Sequence, residues 1–454
     1  MLSLISRQVV YPFVELRDPH RRMSMLRDLE RTQWLKEHEL RSHGIARLRT
    51  IVDYAGAHCE FYRRRFAAIG FDPNTVTSLC ALEQLPIVTK DDIRDHADEL
   101  YSDEYRREDL VEAKTGGSTG VALRIHADTR CQAARNAAAM RSDRWAGWRP
   151  GMPVAALWGN PPSFDSFRPW LRNALYDRLA FLDTMNMTPC TMEDFFHDCE
   201  RRAPLVLFGH AHSLYLYAAF LRDQGLKPTP PAGIVATSMM LLDAERRVIE
   251  DAFKVAVANR YGCEEVGLIA SECEHHAGLH LNLDHLVVEF LDDDGRPVAN
   301  GEEGNIVVTD LVNRGMPLIR YQLGDRGVPT DRRCPCGRGL PLMERVSGRV
   351  ADFLVRRDGS RVAGISLIER TLTLFAGIKQ MQIIQNEVDE FVLKIVAGAG
   401  YGPATEAQLR SEFTTSFGPD LRLTIELVPE IERTRSGKYR FSICNIGRGG
   451  AATV

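Results

Sequence analysis

A chain of 454 residues is too long for one compact core, and 44% hydrophobic with 26% charged residues, at a mean hydropathy of -0.22, excludes a disordered or fibrous protein. Lysine and arginine number 57 against 61 aspartate and glutamate, a formal net charge of -4, so no general attraction to nucleic acid or to an anionic membrane is expected and any anion site must be local. The opening "MLSLISRQVVYPFVELRD" lacks the basic start, clean apolar run and cleavage site of a leader, and no later stretch is apolar enough to span a bilayer. The expected compartment is the cytoplasm.

From about Arg21 to Glu112 the chain reads as mostly helical, with apolar residues three and four apart in "GIARLRTIVDYAGAHCEFYRRRF" and in "VTKDDIRDHADELY", where Thr89 is the expected N-cap. Between Val154 and Tyr261, short apolar runs such as "VAALW" and "PLVLFG" alternate with helical segments such as "AHSLYLYAAFLRDQG". That alternation predicts an α/β layered sheet. After Gly278 the pattern becomes strands joined by turns, a β-rich subdomain with "DDDG" as a hairpin connection. Beyond Gly348 a small α+β unit follows. The expected division is 1–348 for a large N-terminal domain and 349–454 for a C-terminal one.

The stretch "KTGGSTGVALR" looks like a phosphate loop: its glycines let backbone amides approach an anion, and Ser118 and Thr119 add hydroxyls. It lacks the lysine of the G-x-x-x-x-G-K-[ST] pattern, and Lys114 reads as a surface residue ahead of the loop. The cysteines form no disulfide framework, but "CPCG" turns Cys334 and Cys336 the same way. With Cys273 in "SECEHHAGLHLN" they supply three thiolates, and His275, His276 or His280 could complete a tetrahedral zinc site.

"RYGCEEVG", "IRYQLGD", "SGRVADF" and "RTRSGKYR" follow the Gly-rich loop in an order that resembles the adenylate-forming ligases. The chain looks closest to the phenylacetate–coenzyme A ligase group and its capsule-biosynthesis relatives, and it shares their "CEFYRRRF" and "LPIVTKDDIR". The resemblance runs from about Gln33 to Arg440. It implies an enzyme that joins a carboxylate to the α-phosphate of ATP, releases pyrophosphate and passes the acyl group to a thiol. Coenzyme A is the expected acceptor, with a carrier-protein thiol or an amine as the alternative and a non-catalytic nucleotide-binding scaffold as the remaining one.

By that resemblance Ser118, Thr119 and Gly120 hold the β- and γ-phosphates, Ser238, Tyr261 and Gly262 border the nucleotide, and Glu265 rather than Glu264 binds Mg²⁺. Asp325 takes the ribose hydroxyls, Arg349 contacts ribose and phosphate, and Asp352 lies at the interdomain hinge. Lys438 is the catalytic lysine, delivered by closure of the small mobile C-terminal domain. Among the histidines the same relatives favour His280 as the partner of Cys273, Cys334 and Cys336 on a structural Zn²⁺. Gly209 and His210, in "LFGHAHSLYLY", are expected to line the acid pocket, and a histidine where this group often has tyrosine points away from phenylacetate itself. The resemblance also implies a homodimer.

Overall fold

The computed structural model describes residues 2–115, 123–159, 161–164, 166–347, 350–351, 353–375, 377–431 and 440–446. A helical run over 2–17 passes through a π turn at Ser6–Val10, just ahead of Pro12, which has no amide hydrogen to give the preceding turn. Helices Arg22–Thr32, Glu37–His58 and Glu60–Ile69 follow; the last two are separated by Cys59, whose backbone is extended (φ -121°, ψ 119°). Thr89 does cap the next helix: its hydroxyl accepts from the Asp92 amide at 3.1 Å while the Asp92 carboxylate accepts from the Thr89 amide at 2.8 Å. That helix ends at Asp95, and a second short one begins at Ala97, so the pattern through "VTKDDIRDHADELY" breaks at His96.

Strands β1 (Val111–Thr115) and β2 (Leu123–Ala127) pair antiparallel on either side of the Gly-rich loop. Then come β3 (Val154–Trp158), β4 (Leu179–Asp183), β5 (Val206–His210), β6 (Gly233–Thr237) and β7 (Val257–Cys263), mutually parallel and joined by helices. Strands β8 (Gly267–Glu272), β9 (Leu279–Leu281), β10 (Leu286–Leu291), β11 (Gly304–Asp310), β12 (Tyr321–Pro329) and β13 (Leu342–Ser347) are antiparallel. The β-rich stretch is not a separate sheet. All eleven strands form one sheet, ordered β10-β11-β12-β13-β9-β8-β7-β6-β5-β3-β4, because β7 pairs with β6 along one edge and turns back on β8 along the other. "DDDG" makes a turn at Asp292–Gly295, but the chain makes a further bridge between Leu291 and Pro297 before β11 begins.

The C-terminal part holds β14 (Val350–Ala351), β15 (Phe353–Val355), β16 (Arg361–Ala363), β17 (Ile378–Glu387), β18 (Glu390–Ala397), β19 (Arg422–Leu427) and β20 (Arg440–Cys444). Helices Gly364–Leu374 and Pro403–Phe417 lie among these strands, and five of them form a sheet ordered β14-β20-β17-β18-β19. Its core, built around Leu354, Ile383, Phe391 and Phe413, also takes in Met185 from just after β4. The Arg356 guanidinium spans the join, donating to the Met185 carbonyl at 2.7 Å and to the Ser416 carbonyl at 2.6 Å. The C-terminal sheet is thus docked at the ends of the parallel strands, where ligands bind in open α/β sheets.

A buried ion pair ties the N-terminal helices to the large sheet. Arg141, 1% exposed, donates to Asp284 at 2.6 Å, to Asn282 at 2.8 Å and to the Leu29 carbonyl at 3.2 Å, while Thr32 donates to Asp284 at 2.8 Å. Burial alone would raise the Asp284 carboxyl, but the guanidinium outweighs it and the carboxyl lies below its ordinary range. The stabilisation is therefore present above the ordinary carboxylate pKa and lost as pH falls through the lowered one. Asp284→Ala leaves Arg141 charged and unpaired, and is expected to lower unfolding free energy by about 3–5 kcal/mol. Urea denaturation at neutral pH measures it; a loss below about 1 kcal/mol would show that the pair is not an anchor.

Candidate active site

The carboxyl ends of β3, β5, β6 and β7 bring Trp158, His210, Ser238 and Tyr261 to one edge of the sheet, and β12 adds Asp325. The Tyr261 hydroxyl donates to Asp325 at 3.1 Å, across 64 residues of sequence. Gly324, at φ +86°, turns the chain just before Asp325, a conformation that a side chain would strain. Ser238 follows β6 with φ +63°; a left-handed serine is a strained position of the kind found where a loop serves a ligand.

Glu265 lies one turn past Tyr261-Gly262. Its side chain is buried and accepts from the buried Tyr321 hydroxyl at 3.2 Å, while its backbone carbonyl accepts from Arg135 at 2.7 Å. The same Arg135 group reaches Asp310 at 2.8 Å. The Glu264 carboxyl is raised above its ordinary range, first by desolvation and then by the Glu265 charge. The two neighbouring carboxylates are thus held by unlike means, one in a fixed hydrogen bond and the other beside a like charge.

His210 ends β5, fully buried, and its ring lies 4.1 Å from that of Trp158. Neither ring nitrogen has a hydrogen-bond partner among the described residues. Burial, and then the charge of His212, press its pKa down to about 3, so the imidazole is neutral and offers one donor and one acceptor. Gly209 faces β3: a Cβ there would stand 2.9 Å from the Leu157 carbonyl oxygen, and the glycine is explained by this strand-to-strand approach.

Away from that edge, Cys273 follows β8, His280 is the middle residue of β9, and Cys334 and Cys336 lie in the turn between β12 and β13. Their ligand atoms all fall within 4.8 Å of one another. The Cys273 and Cys334 sulfurs are 3.5 Å apart, and the Cys336 sulfur is 3.4 Å from His280 Nε2. His280 Nδ1 is 3.0 Å from the Leu340 carbonyl, which fixes the ring with Nε2 facing the sulfurs. Backbone amides of His275 and Arg338 point at the Cys273 and Cys336 sulfurs at 3.5 and 3.4 Å. The His276 ring instead pairs with Glu272 at 3.2 Å. Of the three histidines open in the sequence, the fold gathers His280 with the thiols.

Residues 354–445 match the family described as the CapK C-terminal domain. The chain is 23% identical to protein CapK of Staphylococcus aureus, over 88% of each chain. It is 28% identical to a phenylacetate–coenzyme A ligase of Thermus thermophilus, over 80% of this chain and 82% of that one. Among solved structures, 2-hydroxyisobutyryl-CoA ligase in complex with 2-HIB-AMP and CoA, in its thioesterification state, matches with a TM-score of 0.61 at 21% identity over 91% of each chain. The fold is that of the adenylate-forming ligases.

Within this adenylate-forming fold, Ser118, Thr119, Gly120, Arg349, Asp352 and Lys438 lie outside the described residues. Among the described ones, the fold adds a residue that the sequence did not single out. Lys90 is the first residue of the helix capped by Thr89, yet its side chain is buried, with Nζ 4.0 Å from where a Cβ on Gly324 would stand. Its segment is laid along β12 by hydrogen bonds from the Val88 amide to the Arg320 carbonyl at 2.8 Å and from the Gln322 amide to the Val88 carbonyl at 2.9 Å. A cation at a helix N-terminus opposes the helix dipole. That misplacement is legible in "VTKDD", and the fold lays the ammonium against the Gly324 turn.

Proposed function

We propose that the protein activates a carboxylic acid with ATP and hands the acyl group to coenzyme A. In the first half-reaction a carboxylate oxygen bonds to the α-phosphorus and the bond to pyrophosphate breaks. In the second, the coenzyme A sulfur attacks the acyl carbon as thiolate and AMP leaves with the bonding pair. The observation that carries this reading is the Tyr261–Asp325 hydrogen bond at the end of the parallel strands: it sets a fixed carboxylate, suited to two ribose hydroxyls, beside an aromatic wall suited to adenine. The relatives named as phenylacetate–coenzyme A ligases and the ligase structure holding an acyl-AMP with CoA support the same chemistry.

In this reading Ser118, Thr119 and Gly120 hold the departing phosphates, Ser238 and Gly262 border the nucleotide, Arg349 contacts ribose and phosphate, and Lys438 meets the α-phosphate. Glu265 would supply a hard oxygen donor of the kind that magnesium takes. Bound there, the ion would neutralise phosphate charge. Cys273, His280, Cys334 and Cys336 make a donor set suited to zinc, with the His280 ring already turned for it.

His210 would face the acid. A neutral imidazole without a partner in a fully buried place loses hydrogen-bond energy unless the ligand supplies a group. Acid-dependent ATP–pyrophosphate exchange is therefore expected to favour acids bearing a hydroxyl or similar substituent over their alkyl or aryl isosteres by about tenfold or more, and His210→Phe is expected to reverse the order. No exchange with any acid would sink the ligase reading. Exchange without thioester formation on adding coenzyme A would move the acceptor to an amine or a carrier-protein thiol.

A further inference from the structure

The helical run over 2–17 presents Ile5, Val9, Phe13 and Leu16 to solvent, four, four and three residues apart and hence on one face. Val9 is 61% exposed and Leu16 86%, so the face is open to solvent, with the Arg17 guanidinium lying over the Phe13 ring at 4.2 Å, while Ser6, Val10 and Val14 turn toward the body of the protein. The run packs against the turn at Asn173–Asp177, where the Tyr11 and Tyr176 rings stack with centroids 4.5 Å apart and Arg22 donates to the Tyr176 hydroxyl at 2.6 Å. Directly before that turn, helix Phe167–Arg172 exposes Phe167, Trp170 and Leu171, with the Phe167 and Trp170 rings stacked on each other at 6.1 Å. The two elements thus lay their exposed apolar side chains on neighbouring stretches of surface.

The charge around them is net positive. Among the described residues of 4–22 and 161–177, every exposed charged side chain is an arginine: Arg7, Arg17, Arg21, Arg168 and Arg172, the last ion-paired with Asp177. The carboxylates are half-buried and keep their charge, but they are outnumbered. Glu15 accepts from the Met23 amide at 3.1 Å, Asp18 from the His20 and Arg22 amides at 3.0 and 3.1 Å, and Asp177 from Arg172 at 2.9 Å. In a chain whose formal net charge is -4, this is a local basic rim around an apolar face. A second copy of the chain seated symmetrically on this face would bring arginines against arginines. A negatively charged lipid surface meets both features at once, because the aromatic and aliphatic side chains enter the headgroup boundary while the arginine heads stay with the phosphates.

We propose that the helical run over 2–17, together with helix Phe167–Arg172, docks this protein peripherally on an anionic lipid bilayer. No helix of the described residues is long and apolar enough to cross one, so the contact is interfacial. The proposal is independent of the ligase reading, and its test does not depend on activity.

Co-sedimentation of the full chain with phosphatidylcholine vesicles, with and without phosphatidylglycerol, tests it. Binding is expected to be about tenfold or more stronger when phosphatidylglycerol is present, and to weaken as salt is raised. Phe13→Asp with Trp170→Asp is expected to abolish binding to both kinds of vesicle. Arg7→Glu with Arg168→Glu, at exposed positions that leave the fold and the ATP–pyrophosphate exchange intact, is expected to remove only the preference for the anionic vesicles. No binding by the unmodified protein, equal binding to both vesicles, or a concentration-dependent dimer in ultracentrifugation that the same substitutions dissolve would each overturn the proposal, the last in favour of a second copy.

Discussion

Lys438→Ala is expected to slow acid-dependent ATP–pyrophosphate exchange by about 10²- to 10³-fold, while the reaction of preformed acyl-adenylate with coenzyme A keeps its rate to within a few-fold. Adenylation brings two anions together, a carboxylate and the α-phosphate, and gathers further charge on the phosphorus oxygens as the new bond forms. The Gly-rich loop between β1 and β2 offers amides and hydroxyls but no lysine, so the charge must come from elsewhere. Strand β20, which starts at Arg440, pairs in parallel with both β14 and β17, so the chain just past Lys438 is anchored in the C-terminal sheet. The ammonium is therefore carried by the part of the protein that docks at Met185, over the ends of the parallel strands. An interaction made only in the transition state should show its loss in kcat, with KM for ATP little changed. Equal losses in both half-reactions, or a loss under about threefold, would remove Lys438 from the adenylation step.

What the sequence made legible followed from local rules. The alternation of apolar runs with helical segments between Val154 and Tyr261 reads as parallel strands because a strand such as β6 is buried along its whole length, and Thr89 reads as a cap because the box needs only residues three apart. Breaks at Cys59 and His96 escaped because the apolar spacing continues across them and only the backbone shows the interruption. The continuity of the sheet escaped for another reason: whether β7 and β8 join the parallel strands to the antiparallel ones depends on which edges are left unpaired, and no local pattern states that. Lys90 marks the same limit at the site: a charge where a helix dipole argues against it stands out only when its neighbour Gly324 is known.

Cys336→Ser is expected to lower zinc content from about one ion per chain to well below that, and to destabilise the β-rich end of the sheet by at least about 3 kcal/mol. The four groups come from the end of β8, from β9 and from the turn before β13, and Leu342 of β13 is paired directly with His280 of β9. A metal there would close the loop between Cys273 and Cys334, 61 residues apart, so its loss frees a long segment as well as breaking a bond. Sulfurs bound tetrahedrally to zinc at about 2.3 Å would stand about 3.8 Å apart, close to the 3.5 Å between Cys273 and Cys334. The protein side is therefore close to assembled, with the Trp145 ring packed edge-on against His280 at 5.5 Å and Arg338 between Trp34 and Trp145 at 4.9 Å from each ring. Elemental analysis with thermal melting, run on the unmodified chain, Cys336→Ser and His275→Asn, separates the roles. His275→Asn should keep both metal and stability, since its ring is not among the gathered ligands. A zinc held by these four groups would have no position open for substrate, so the metal-free variant should lose activity only in step with its folded fraction. A zinc-free unmodified protein that melts no lower after chelator treatment would refute the site, and the packing around His280 would then have to hold the strands on its own.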